Sequence, residues 1–164
     1  MMNHNIVSQL ESTNSRLIKE EIILKQMKLE NKVFFKGMNL AYNKLLTFGV
    51  RKIPFCTESG KGIVWTDFED LTKKLIERDI TGHAARDEII NLMNLSDSNE
   101  WNYFYRRILQ KDMRCGMSEK TINNVAKKNN FDEYLIPVFS CQLAQDVENH
   151  KKKMIGEKII EVKL

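Results

Sequence analysis

Residues 32–46 read K-V-F-F-K-G-M-N-L-A-Y-N-K-L-L. Val33, Phe34, Phe35, Met38, Leu40, Ala41, Leu45 and Leu46 are packed so densely here that a one-sided amphipathic helix cannot hold them, and a central helix wrapped by neighbours is predicted. Its aromatic and Met side chains are core material rather than a cofactor box. Such a helix needs others around it. Upstream, residues 5–12 have the pattern of a short amphipathic helix, and Ser15 to Lys28 that of a longer one, with Leu17, Ile18, Ile22, Leu24 and Met27 interleaved among charges.

Downstream, Arg51 to Gly62 contains Pro54, Gly60 and Gly62 and reads as a solvated basic loop. Its G-K-G lacks the glycine spacing that a phosphate-cradling P-loop needs before Lys-Ser/Thr. Thr66-Asp67-Phe68-Glu69 fits a capping box, opening a helix through Leu71, Leu75 and Ile76 to about Arg78. Thr81 can cap the next helix, with Gly82 at its first position leaving room for another backbone. A basic amphipathic helix is predicted from about Glu100 to Asp112, ending near Gly116, and Ser118 caps a last one through about Lys128.

With only seven Gly and two Pro in 164 residues, these segments predict an all-α fold, a bundle of about six to seven helices. After Pro137 the character changes: E-N-H-K-K-K is charged, and K-I-I-E-V-K-L, Lys158 to Leu164, alternates like a half-buried strand. A boundary is therefore placed near residues 132–137, between a helical domain (1–134) and a linker with a short extended β-segment (135–164).

The N-terminus lacks a basic start and apolar h-region, and no apolar run approaches a membrane span, so a cytoplasmic protein with no membrane partner is expected. Cys56, Cys115 and Cys141 are odd in number and unpaired in spacing, as expected of reduced structural thiols. His4, His83 and His150 have no second ligand nearby, so no metal site is predicted; no nucleophile–base pattern can be built either. Charge is more informative. The chain carries +4 overall, yet Arg106, Arg107, Lys111, Arg114, Lys120, Lys127 and Lys128 stand against only Asp112 and Glu119 between residues 105 and 128. A basic face is expected there. The helix starts at Thr81-Gly82 and Gly116–Ser118 add N–H donors and positive dipole ends that suit phosphate.

Three stretches resemble one family. R-R-I-L-Q-K-D-M-R-C-G-M-S-E-K-T-I-N-N-V (106–125) is similar to the segment of ATP-dependent DNA ligases with an arginine, an apolar pair, a lysine-aspartate, then Gly-x-Ser and a Thr-Ile helix. I-T-G-H-A-A-R-D-E-I (80–89) resembles the Thr-Gly-Asn-Ala-Ala helix start of the ligases of T-even phages. E-V-K-L (161–164) resembles the first half of the nucleotidyltransferase signature Lys-x-Asp-Gly. The three occur in the family's order and at about its spacing.

The resemblance implies that residues 1 to about 134 are a DNA-binding domain that grips nicked double-stranded DNA across the minor groove. Thr81, Gly82, His83, Arg106, Arg107, Lys111, Arg114, Gly116, Ser118, Lys120 and Thr121 become its expected DNA contacts, chiefly to phosphates and tolerant of sequence. Charge reversal at both Lys111 and Arg114 is expected to weaken binding without unfolding the helices. Lys163 would be the nucleophile that forms lysyl-AMP, with Glu161 receiving the adenine amino group and Leu164 beside them, because residues i and i+2 of a strand face one side. ATP and Mg²⁺ would serve the complete enzyme, without binding tightly to these 164 residues. The family's Asp-Gly and later motifs do not follow, so the chain alone is expected not to seal nicks. It is read as a truncated piece of a longer ligase or half of a split one, acting in DNA replication and repair in the cytoplasm of an infected bacterium. Two rival functions use the same helices: a protein-interaction module with a merely solvated basic face, or a sequence-specific helix-turn-helix protein whose turn is C-G-M-S and whose base readers would be Lys120, Asn123 and Asn124.

Overall fold

A computed structural model describes residues 2–138, which are helical, with no strand among them. The helices are α1 (Asn3–Glu11), α2 (Arg16–Lys28), α3 (Lys32–Tyr42), α4 (Trp65–Ile76) and α5 (Gly82–Leu95). Ser98–Glu100, Trp101–Tyr105 and Arg106–Gln110 then follow without interruption as one helix, α6, whose middle five residues are π-wound. Helix α7 (Glu119–Lys128) and a 3₁₀ turn (Asp132–Tyr134) complete the order. The extended segment expected near the C-terminus, with Glu161, Lys163 and Leu164, lies outside the described residues, as does Cys141.

Local chemistry explains most of the starts. Ser15 Oγ accepts the Ile18 N–H, Asn31 Oδ1 the Phe34 N–H, Asp97 Oδ2 the Glu100 N–H and Ser118 Oγ the Lys120 N–H. Each satisfies a donor that a helix leaves orphaned.

Helix α3 is central, as its composition predicts: Phe34 and Met38 are fully buried. Phe34 stacks on Phe104 of α6 with centroids 6.5 Å apart. Gly37 makes this crossing possible, because a Cβ there would lie 2.8 Å from Phe104 Cζ and 2.9 Å from Ile108 Cδ1. Trp65 and Phe68 of α4 close the cluster against Tyr105, with the Phe68 and Tyr105 centroids at 4.6 Å. Helix α1 packs on α6, α2 on α7, and α4 on α5.

Several sequence expectations are corrected. Helix α3 stops at Tyr42 rather than Leu46, because Asn43 turns extended (ψ 110°) and its side chain accepts the Leu45 N–H, a local bond that competes with the helix. Leu17 and Ile18 do not face the core: 73% and 48% of their surface is exposed, and α2 instead buries Lys19, Ile23, Gln26 and Met27. Helix α4 begins two residues earlier than a Thr66 cap requires. Val64 is its extended N-cap residue, and Asp67 supplies the backward half of a capping box by accepting the Val64 N–H. Thr81 occupies the N-cap of α5, but its hydroxyl makes no capping bond. The helix predicted to reach Asp112 stops at Gln110, where Lys111 turns left-handed (φ 57°).

The stretch 51–62 is a loop, but only partly solvated. Ile53 and Cys56 are buried, and α6 grips the backbone between them. Trp101 Nε1 donates to Pro54 O (3.0 Å) and Arg106 Nε to Ile53 O (2.9 Å), while Asn102 both accepts from Cys56 N–H and donates to Cys56 O. Gly60 lies against the end of α5, where a Cβ would run into Asn94 O and Leu95 O. The π-turn is what lets α6 do this: one wide turn brings Trp101, Asn102, Phe104 and Tyr105 all into buried positions.

Candidate nucleic-acid interface

The segment from Lys111 to Ser118 leaves α6 and enters α7, and two lysines fix it from inside. Lys111 Nζ donates to Leu40 O (2.9 Å), Asn43 O (2.8 Å) and Leu46 O (2.5 Å), and lies 5.5 Å from the Phe48 ring centroid. Three N–H donors thus meet three carbonyls at the end of α3, and burial lowers the ammonium's pKa. Lys19, 6% exposed, reaches from α2 to Cys115 O (2.6 Å) and Gly116 O (3.0 Å). Tyr42 Oη donates to Met117 O at 3.2 Å.

These three carbonyl contacts have a geometric consequence. A trans peptide carries its C=O and the following N–H on opposite sides, so turning Cys115 O, Gly116 O and Met117 O toward Lys19 and Tyr42 turns the N–H groups of Gly116, Met117 and Ser118 away from them. Among the described residues those three N–H groups donate to no protein acceptor. Successive free amides beside a helix N-terminus form a concavity suited to an anion. Gly116 is left-handed here (φ 67°), and a Cβ on it would sit 2.6 Å from Lys19 Nζ. The left-handed backbone favours glycine, and a Cβ would push the Lys19 ammonium aside.

Gly116, Met117 and Ser118 line a cleft of about 260 Å³ between the starts of α2 and α7, together with Asn14, Arg16, Lys19, Lys120, Thr121 and Asn124. Ser118 and Lys120 are exposed there, whereas Thr121 is buried. Arg114 is exposed on the other flank, in a left-handed conformation (φ 56°) held by Asp112 Oδ1 accepting its N–H.

The expected contact residues therefore divide. Gly116, Ser118 and Lys120 line one cleft, and exposed Arg114 lines a neighbouring one that shares Gly116 and Met117 with it. Lys111 has all its donors engaged internally. Arg107, 5% exposed, donates to Glu11 Oε1 (2.9 Å) and Met113 O (3.2 Å), and it lies 5.3 Å from the Tyr103 centroid. Arg106 is half-buried on Ile53 O and the Phe55 ring, its pKa lowered by burial and then by Arg114 and Arg107. Charge reversal at Lys111 would consequently set a carboxylate against three carbonyls, so the expected preservation of the fold in a Lys111 and Arg114 double reversal is corrected: Lys111 is the wrong half of that pair. Asn123 is likewise spent, its amide bonding both Ile136 N–H (2.7 Å) and Ile136 O (2.9 Å). Of the three base readers suggested for a helix-turn-helix, only Lys120 and Asn124 remain exposed.

Thr81, Gly82 and His83 are all exposed at the start of α5, and nothing lies within 4 Å of where a Gly82 Cβ would be. Gly82 has φ +55°, an open backbone position of the kind its identity suggests. This second start is tied to the first through residues 43–50. Arg78 donates to Thr47 O and Thr47 Oγ1 (3.0 and 2.9 Å), and the same turn supplies Asn43 O and Leu46 O to Lys111.

Lys19, Tyr42, Arg16 and Asn14 were not singled out from the sequence. Lys19 did leave a signal: it lies four and eight residues before Ile23 and Met27, on the face of α2 that the core claims. Among the described residues no cluster of three or more His, Cys, Asp or Glu could hold a metal, and no helix is long and apolar enough to cross a membrane.

No family model and no curated protein matches the chain. Two solved structures are similar to it. One, named Pmar-Lig_PreS3, has a TM-score of 0.83 and 49% identity over 93% of this chain; the other, named Pmar-Lig_Pre., has a TM-score of 0.83 and 48% identity over 94%. This chain spans about a third of each, 35% of its length.

Proposed function

We propose that residues 1–134 are the DNA-binding part of an ATP-dependent DNA ligase, holding nicked duplex through backbone phosphates while a catalytic part seals the break. The observation that carries this reading is the run of three unengaged amides at Gly116–Ser118, flanked by Arg114 and Lys120, inside the sequence segment that resembles the ligases. A donor array of this kind grips phosphate oxygens without reading bases. The likeness to two longer structures whose names contain "Lig" supports the same direction, and so does a match that spans only a third of each. In the complete enzyme Lys163, Glu161 and Leu164, which lie outside the described residues, would serve the nucleotide chemistry with ATP and Mg²⁺.

Titration of a fluorescent nicked duplex with the 164-residue chain at two ionic strengths tests the reading. Affinity should fall at least tenfold between low and moderate salt, and vary little with base sequence. Binding that ignores salt, or no binding at low salt, overturns it. Marked preference for one sequence would favour the helix-turn-helix alternative.

A further inference from the structure

We infer that Lys19 is a positioning residue for phosphate binding, a buried cation that sets the direction of the Gly116 and Met117 amides and is itself left without a counter-ion in the cleft that Gly116–Ser118 line. This rests on the proposed DNA-binding function and names the residue on which the geometry of its anion site depends.

Lys19 stands on the core face of α2, between helices rather than in solvent. Fully buried lysines are rare unless paired with a carboxylate. No carboxylate lies within ion-pair distance of Lys19 among the described residues; its partners are the carbonyls of Cys115 and Gly116. Two of its three N–H donors are used in this way, and the side chain lines the 260 Å³ cleft that also holds Arg16, Lys120 and Asn124. Carbonyls satisfy hydrogen bonds but do not cancel a charge. The positive potential of the ammonium is therefore available to an anion in the cleft, in surroundings that screen it less than bulk water would.

The mechanical role is distinct from the electrostatic one. While Lys19 holds both carbonyls inward, the amides of Gly116 and Met117 point outward. Without it the buried Cys115 carbonyl and the part-buried Gly116 carbonyl would lose their partner, and the cheapest remedy is for the peptides to rotate toward water, which turns their N–H groups in. The ligand class is a phosphodiester oxygen of a nucleic-acid backbone: singly charged and acceptor-only, as successive unengaged amides require.

The test compares the full chain with Lys19→Met, which keeps the stem and removes the ammonium, and with Tyr42→Phe, which releases only Met117 O. Ile23→Val, a core change on the same face of α2, controls for lost stability. Nicked-duplex affinity is measured together with the amide resonances of Gly116, Met117 and Ser118 during the titration. Wild type should bind and shift these resonances. Lys19→Met should bind on the order of tenfold or more weaker, with those amide shifts lost; Tyr42→Phe should lose less, and Ile23→Val should bind as wild type. If wild type binds and both Lys19→Met and Tyr42→Phe bind equally well, Lys19 has no positioning role. If Lys19→Met fails to fold, the wild-type titration decides: Gly116 and Met117 resonances that stay unmoved while the duplex binds overturn the inference. Absence of wild-type binding overturns the underlying function instead, and this inference with it.

Discussion

At the scale of single residues, the chain spends its basic side chains in two ways that sequence alone does not separate. Lys111 and Arg114 stand three apart in one charged run, yet Lys111 closes off three carbonyls while Arg114 faces solvent. The difference lies in partners some 65 to 71 residues away, which local pattern cannot report. Lys111→Met should therefore destabilise the fold by about 2–4 kcal/mol, the range for losing charged hydrogen bonds and leaving acceptors unpaired; a shift in denaturant midpoint measures it, and an unchanged midpoint would refute the assignment. Cys115 permits a pH test of the same region. Burial raises its thiol from 9.0 to about 12, against the smaller lowering by Arg107 and Lys19. A raised thiol pKa means that the folded state keeps a proton which the unfolded state releases. The associated stability is complete below pH 9 and is lost as pH climbs from 9 toward 12, with a slope approaching about 1.4 kcal/mol per pH unit. Tyr105, raised to about 12 chiefly by burial, steepens the loss above pH 10. Denaturation midpoints across pH 8–10.5 should be flat and then fall in wild type; in Cys115→Ala the fall should begin about one unit later.

At the scale of elements, what was legible followed from short-range rules. The starts of α2 and α7 were marked by Ser15 and Ser118, and the central role of α3 by its crowding of Phe and Met. The bounds that shifted combined a local competitor, the Asn43 side chain at the end of α3, with distant partners: Lys111 on the carbonyls there, and the loop that Trp101 and Asn102 of the π-turn hold. Two asparagines show how a helical protein manages extended chain without a sheet. Asn102 and Asn123 each present a side-chain amide to one residue of an extended segment, Cys56 and Ile136, bonding its N–H and its C=O together as a neighbouring strand would. Asn123 thereby anchors the stretch Leu135–Pro137 to α7, next to the Tyr134 ring that stacks on Phe35 at 4.5 Å. Asn123→Ala should remove this anchor. The Ile136 amide should lose most of its hydrogen-exchange protection while the amides within α3 and α6 keep theirs, with about 1–3 kcal/mol lost locally. Undiminished protection at Ile136 would mean that aromatic packing alone holds the segment.

On the scale of the whole molecule, a net charge of +4 is too small to identify a nucleic-acid binder, and the informative quantity is which cations remain free once the fold has taken its share. Arg107 and Lys111 are consumed in joining α6 and α3 to the segment before α7, and Lys19 spends two of its three donors there. Arg114 and Lys120 are not: among the described residues neither side chain makes a hydrogen bond or ion pair. The proposed contact surface is thus a remainder, supported from beneath by the lysines that resemble it in sequence. This leads to a quantitative expectation for the 164-residue chain. Each phosphate contact releases close to one counter-ion, so the double variant Arg114→Ala, Lys120→Ala should lower the magnitude of the log–log salt slope of duplex binding by about two. The loss of affinity should be equal for unrelated duplex sequences, because neither residue is asked to read a base. Its denaturant midpoint should stay within about 0.5 kcal/mol of wild type, as befits exposed side chains without partners. Lys127→Ala, at the far end of α7, serves as a charge-matched comparison and should leave the slope nearly unchanged. A double variant with the wild-type slope would place the DNA on another face, and a slope reduced equally by Lys127→Ala would mean a diffuse basic field rather than the surface built at Gly116–Ser118.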